Sequence, residues 1–224
     1  DTFKSLDDNF FIISSGLDNA SANIPQKSMN QYSFMIQMNE EVPGIFKKID
    51  ALGSHSYPNP GFSSFPWIVT DKSISSFKFE KELADELSGK NLPIFITETG
   101  WSNKNLSKNQ IASYFIFAFE SVWLDNVVAV TPFLLHAGVG PFSQFSLLNE
   151  DGNYNEVSLT LQRIPKIKGK PTINYNSNLT SNLLPSQNNI PVRTFSQKTQ
   201  FEYPALEKTK TITTFFKWLL KLPN

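Results

Sequence analysis

The stretch Leu92-Pro93-Ile94-Phe95-Ile96-Thr97-Glu98-Thr99-Gly100-Trp101 constrains the fold more than any other part of this 224-residue chain. A short apolar, β-branched run that opens on Leu-Pro and closes on Thr-Gly-Trp reads as a buried strand followed at once by a turn. Glu98 stands at the end of that run, where a carboxylate is costly to desolvate unless something pairs with it or uses it. In a (β/α) barrel the C-terminal ends of the strands form the face where chemistry takes place, so a glutamate there reads as catalytic. The plainer reading is a carboxylate that caps a helix or pairs with a lysine.

The rest of the chain repeats the same grammar. Asn9–Asp18 is an apolar run that breaks into Gly-Leu-Asp, and Ile49–Pro58 has an apolar start and the polar end Ser-His-Ser-Tyr-Pro. Val127–His136 is a further strand, followed by a loop rich in Gly, Pro and Phe. Helical spacing fills the intervals. Met29, Tyr32, Met35 or Ile36 and Asn39 precede the Val42-Pro43-Gly44 break, and Phe77, Phe79, Leu83 and Leu87 run up to Gly89 as the C′ residue. Ser107 and Gln110 form a capping box, with Leu106 and Ile111 placed for a hydrophobic staple. The helix that follows, through Trp123, is apolar almost all round, so its outer side must be covered. Asp151-Gly152 marks a tight turn before a last helical stretch that reaches about Ile164-Pro165.

Strand ends recur about every 40 residues with a helix in each interval, the rhythm of a parallel, right-handed βα sheet. A closed (β/α)8 TIM barrel needs eight such units and about 250 residues. The expected fold class is therefore α/β, with about four βα units of a TIM barrel. Residues 1–170 carry them, and residues 171–224 are expected to be a polar tail. From Lys166 onward the composition turns to Asn, Ser, Thr, Pro and Lys, and 172–205 reads as a linker or poorly ordered segment. The last apolar stretch, Ile212 to Leu222, is too short to span a bilayer. An interfacial helix, a truncated accessory domain and a helix packing on further barrel strands are all open to it. The chain begins at Asp1 rather than Met, as expected of a processed chain or one cut from something longer.

Composition narrows the function classes. Formal net charge is zero and no basic stripe is present, which argues against nucleic acid as a partner. Cysteine is absent, removing disulfides, thiolate metal sites and cysteine nucleophiles together. No metal or cofactor is expected. Twenty phenylalanines suit either a large core or a cleft that stacks on sugar rings.

Three residues carry the candidate chemistry. His55 and Tyr57 are two apart on one strand, so their side chains share a face. A tyrosine hydroxyl beside Glu98 would hold that carboxylate ionised and oriented, as a nucleophile requires. For a lone pair, a His and Tyr satisfied at the core edge is the ordinary case. Trp67, Trp101 and Phe142 lie on loops at the same expected face. Each alone is ordinary packing, but as a set they suggest a saccharide cleft.

The segment I-T-E-T-G-W (residues 96–101) resembles the strand-seven nucleophile segment of the clan A glycoside hydrolases, the retaining (β/α)-barrel enzymes. His55-Ser56-Tyr57-Pro58 resembles the strand-six H-x-Y-P of family five cellulase-like enzymes and relatives. The resemblance covers roughly residues 9 to 165. It implies strands five to eight of the barrel, with Glu98 as nucleophile, His55 lining the sugar site and Tyr57 hydrogen-bonded to the nucleophile. The implied activity is hydrolysis of a β-linked oligo- or polysaccharide by double displacement. His136 stands where many clan members carry a Trp at the end of strand eight, so it is expected at the substrate. Asp18 ends the first run, where a substrate contact and an Asx-turn are both open and the turn is the ordinary case.

The second carboxyl is the gap. In the clan, the acid/base is a Glu after an Asn at the end of strand four, upstream of everything here. Asn39-Glu40 falls at the end of a helical pattern and Asn149-Glu150 beside the Asp-Gly turn, so neither takes that role. The chain is thus expected to be the C-terminal half of a hydrolase, inactive without its N-terminal half. A non-catalytic carbohydrate-binding barrel is the rival. A secreted or cell-surface setting is favoured, and the sequons at Asn19, Asn105 and Asn178 matter only in a eukaryotic secretory host.

Overall fold

A computed structural model describes residues 2–124 and 126–166, all within one compact unit that spans residues 1–176. The linker, the apolar segment Ile212–Leu222 and the sequon at Asn178 lie outside the described residues.

Three strands form the sheet: β1 (Leu52–His55), β2 (Ile94–Thr99) and β3 (Val127–Pro132). They are parallel and neighbours in chain order, β1-β2-β3. A sequential order of three parallel strands fits a segment of a (β/α) barrel and equally one half of a doubly wound sheet. The helices are α1 (Thr2–Leu6), α2 (Gln31–Glu41), α3 (Ser76–Ser88), α4 (Lys108–Ser121) and α5 (Glu156–Arg163). Among the described residues no helix is long and apolar enough to cross a membrane.

The expected first strand is a correction. Residues 9–18 do not form a regular strand. They run beside β1 through isolated parallel bridges, Ile13 to Ala51 and Asp18 to His55. Ser14 N–H donates to Ala51 O at 3.1 Å, and Gly53 N–H donates to the Ser14 hydroxyl at 3.0 Å. The approach is too close for a side chain at the crossing, since a Cβ on Gly53 would lie 2.2 Å from Ser14 O. Among the described residues the sheet therefore has three strands and one edge run in place of four full strands. The other strands are shorter than expected, and β3 ends at Pro132.

The helices follow their local signals. Ser107 and Gln110 close the capping box of α4, and Gly89 caps α3 at φ 68° with its N–H on Asp85 O at 2.8 Å. Asn30 caps α2 by accepting from the N–H groups of Tyr32 and Ser33. The outer side of α4 is covered as its composition demands. Phe65 and Trp67 pack on Tyr114, Trp67 also meets Phe117, and α5 packs against α4.

The inward face of α3 differs from the apolar pattern. Phe77, Glu80, Ala84 and Ser88 are buried, whereas Phe79, Leu83 and Leu87 are half-buried. A carboxyl thus enters the layer between α3 and β1, where Ser54 of β1 and Ser56 just beyond its end are buried. Ser54 and Ser56 hydroxyls meet at 2.8 Å, and the Ser76 hydroxyl donates to Ser56 Oγ at 3.1 Å. Burial pushes the Glu80 carboxyl up to about 7, while Ser54, Ser76 and Gln31 pull it down without cancelling the effect. Its Oε1 meets no donor at hydrogen-bonding geometry.

An unfolded glutamate takes its proton near 4.5, so the native state binds more protons between that pH and about 7. Stability then falls as pH rises through this window, by on the order of 3 kcal/mol for the full shift. Glu80→Gln removes the dependence. Melting curves from pH 4.5 to 8 should show the Gln variant gaining on the wild type as pH rises. Parallel profiles would contradict an uncharged Glu80.

Candidate functional site

At the C-terminal tips of β1 and β2 the structure brings His55, Tyr57 and Glu98 together. Tyr57 Oη donates to Glu98 Oε2 at 3.0 Å, and His55 Nδ1 lies 3.6 Å from the same oxygen. The second distance exceeds a hydrogen bond, so His55 attracts the carboxylate only when protonated. The Glu98 side chain keeps 35% of its exposure, which leaves it open to a reactant.

Strict alternation along β2 would have pointed Glu98 the wrong way. Ile94 and Ile96 are fully buried toward the helices, whereas Phe95 and Thr97 are half-buried on the open face. By alternation Glu98 would join Ile96 under the helices. The register shows why it does not: Ser54 pairs with Ile96 but His55 pairs with Glu98. On the other side Ile96 pairs with Val130 and Thr99 with Pro132. Both neighbours count one extra residue in β2 between Ile96 and Thr99, which is a β-bulge. The bulge turns Glu98 to the open face beside His55, and Thr99 takes the buried parity of Ile94 and Ile96.

Tyr57 sits in an aromatic cage. Phe62 meets its ring edge at 5.2 Å, and Phe133 and Phe145 each at 6.1 Å. Burial by these rings is the main reason the phenol is held well above its ordinary value near 10. The charge of Glu98 and the hydrogen bond to it add to the effect. Tyr57 therefore remains a protonated donor. Phe62 is placed by a strained backbone, at φ 55° after Gly61 at 64°. For a bulky side chain that is an outlier, and outliers of this kind cluster at functional sites.

The carrier loop is clamped from the first run. Buried Asn19 donates through Nδ2 to Tyr57 O at 2.9 Å and to Ser73 O at 3.3 Å, and its Oδ1 accepts from Asn59 Nδ2 at 2.8 Å. Its amide is fully engaged, so the Asn19 sequon is closed to glycosylation as folded, whereas Asn105 is exposed. Asp18 makes the Asx-turn, accepting from Ala20 N–H at 2.8 Å.

The aromatic platforms are redistributed. Trp101 is a correction: it is 2% exposed, packs on Tyr114, Phe115 and Trp123, and donates its indole N–H to Ser64 O at 2.8 Å. It offers no face to a sugar. Trp67 stacks on Phe65 at 4.6 Å over α4 and is not part of the Tyr57 cage. Phe142 does reach the cage, 5.5 Å from Phe133, and is 56% exposed. His136 is exposed in the loop beyond Pro132, the end of β3. Phe62, Phe133 and Phe145 were not singled out from sequence as site residues, and Asn19 was read only as a sequon. The phenylalanines in the two loops after β1 and β3 were the available signal, but nothing local tells a cage from a core.

Among the described residues no group of three or more His, Cys, Asp or Glu could hold a metal ion. No family model matches the chain, and no curated protein matches it. Among solved structures it is similar to a GH128 (subgroup II) endo-beta-1,3-glucanase from Sorangium cellulosum. Identity is 15% and the TM-score 0.48, with 70% of this chain and 56% of that chain covered. The chain thus spans little more than half the length of that neighbour, and likeness at this level assigns no activity.

A Cβ on Gly16 would lie 2.1 Å from His55 Cδ2. Gly16→Ala should displace the imidazole from Glu98. With two histidines in the chain, the ring resonances are readily followed by NMR. His55 resonances that superpose on those of wild type would contradict this packing.

Proposed function

We propose that residues 1–170 form the C-terminal half of a (β/α)8 barrel in a retaining glycoside hydrolase that cleaves β-linked saccharides by double displacement. The single observation that carries the reading is the Tyr57 Oη–Glu98 Oε2 hydrogen bond at 3.0 Å across two adjacent parallel strand tips. A nucleophilic carboxylate must be ionised, oriented and within reach of substrate. Tyr57 supplies the orientation, and the partial exposure of Glu98 supplies the reach. The clan A, family five-like motifs at His55–Pro58 and Ile96–Trp101 support the same assignment.

In this mechanism the Glu98 oxygen not held by Tyr57 attacks the anomeric carbon and forms a glycosyl ester. The leaving oxygen takes a proton from a second carboxyl about 5 to 5.5 Å away. That group then draws a proton from water, which attacks the ester and frees the sugar and Glu98. Tyr57 steadies the carboxylate before attack and again as it departs. His55 lines the sugar site, and the exposed Phe142 is the surface for ring stacking in place of Trp101.

The second carboxyl belongs to the other half of the barrel. Of the nearest candidates along the chain, Asp18 is an exposed Asx-turn residue bridged to His55, Glu40 lies on α2, and Glu150 is exposed beside Asn149. The same observation sustains a second reading, a carbohydrate-binding barrel without turnover. The two part on one assay.

In the full-length protein Glu98→Gln should lose nearly all turnover while still folding. Tyr57→Phe should lose about 10- to 100-fold, the worth of one hydrogen bond to a charged group. Normal turnover in Glu98→Gln would sink the nucleophile assignment. Saccharide binding with no turnover in the wild type would favour the binding protein.

A further inference from the structure

The bulge in β2 raises a mechanical question. An extra residue shifts the register where Glu98 must be held, so bonds beyond the regular ladder matter most at that level. Thr99 occupies that point and is fully buried. Its hydroxyl donates to Ser56 O at 2.6 Å, joining β2 to β1 between His55 and Tyr57. On the other side its carbonyl accepts from Phe133 N–H at 2.9 Å, and Phe133 packs on the Tyr57 ring. Thr97 makes a similar but longer reach, 3.4 Å to Ser54 O. The two threonines that flank Glu98 thus reinforce the shifted ladder by side-chain bonds, and Thr99 reaches the segments that carry both partners of the site.

We propose that Thr99 is the positioning residue of the site: its hydroxyl, bridging the bulge to Ser56 O, sets the distance between Glu98 and Tyr57. The inference rests on the reading of Glu98 as nucleophile only for its catalytic consequence. The geometry it asserts is independent of turnover. A donor is needed, because a β-branched side chain of the same shape without a hydroxyl would fill the space yet leave Ser56 O unbound. Serine would retain the donor.

The test uses the full chain labelled with 13Cζ-tyrosine, a carbon whose shift reports the hydrogen bond made by its own hydroxyl. Tyr57→Phe assigns the resonance, and Glu98→Ala gives its position with no carboxylate acceptor. Thr99→Val is expected to move the Tyr57 resonance toward the Glu98→Ala position, while Thr99→Ser keeps it at the wild-type position. If the valine variant does not fold, Thr99→Cys carries the same comparison, since a thiol of similar size is only a weak donor. A Tyr57 resonance unmoved in the folded non-donor variant would overturn the proposal. Kinetics in the full-length protein add a second readout. Thr99→Val should lower kcat about 10- to 100-fold, the usual consequence of a misplaced group, with KM little changed and Thr99→Ser recovering most of the loss. Should Glu98→Gln retain turnover, the nucleophile assignment falls, and the tyrosine resonance still decides the role of Thr99.

Discussion

The contact between the Tyr57 hydroxyl and the Glu98 carboxylate makes demands on almost every element around it. It requires two strand tips side by side, so β1 and β2 must be parallel neighbours. It requires Glu98 to leave the buried parity of β2, so the strand carries a bulge. It requires a phenol that stays protonated, so Phe62, Phe133 and Phe145 close around the ring. It also requires the carrier loop after β1 to be fixed, and Asn19 does this through its side-chain amide. Two glycines allow the first run to lie close enough to act: Gly53 admits Ser14 O and Gly16 admits the His55 ring.

Behind the open face lies a second, unusual layer. The strand that presents His55 and Tyr57 on one side presents Ser54 and Ser56 on the other, and α3 meets them with Ser76 and Glu80. An apolar layer would have been more stable, since a buried carboxyl with an unsatisfied oxygen carries a desolvation cost. What the polar layer supplies is direction. Hydroxyls accept and donate at defined angles, and Ser56 is met on its Oγ by Ser54 and Ser76 and on its carbonyl by Thr99. The helix layer and the candidate site are therefore joined through the backbone of one residue.

Much of this was legible in the sequence because it rests on local rules. The capping box at Ser107 and Gln110, the glycine stop at Gly89, the strand around Glu98 and the shared face of His55 and Tyr57 all follow from spacing alone. What was not legible depends on three-dimensional context. A bulge leaves no mark in a run such as I-T-E-T, and alternation would have sent Glu98 inward. Glu80 was hidden because Phe79 sits beside it and offers the apolar pattern a better match. Trp101 closes the segment that carries Glu98, yet Tyr114, Phe115 and Trp123 enclose it, and no feature of Gly-Trp distinguishes a platform from a core residue. The run at 9–18 has strand composition but is held to β1 by isolated bridges.

The most direct test of the central claim is to trap the nucleophile. The native protein would be incubated with 2-deoxy-2-fluoro-β-glycosyl fluorides of several sugars, whose leaving group departs without a proton donor. Peptide mapping by mass then locates any covalent adduct. The account predicts one fluoroglycosyl unit on the peptide that contains Glu98, lost in Glu98→Gln. An adduct on a different carboxylate, or turnover of unfluorinated glycosides with Glu98 never labelled, would contradict it.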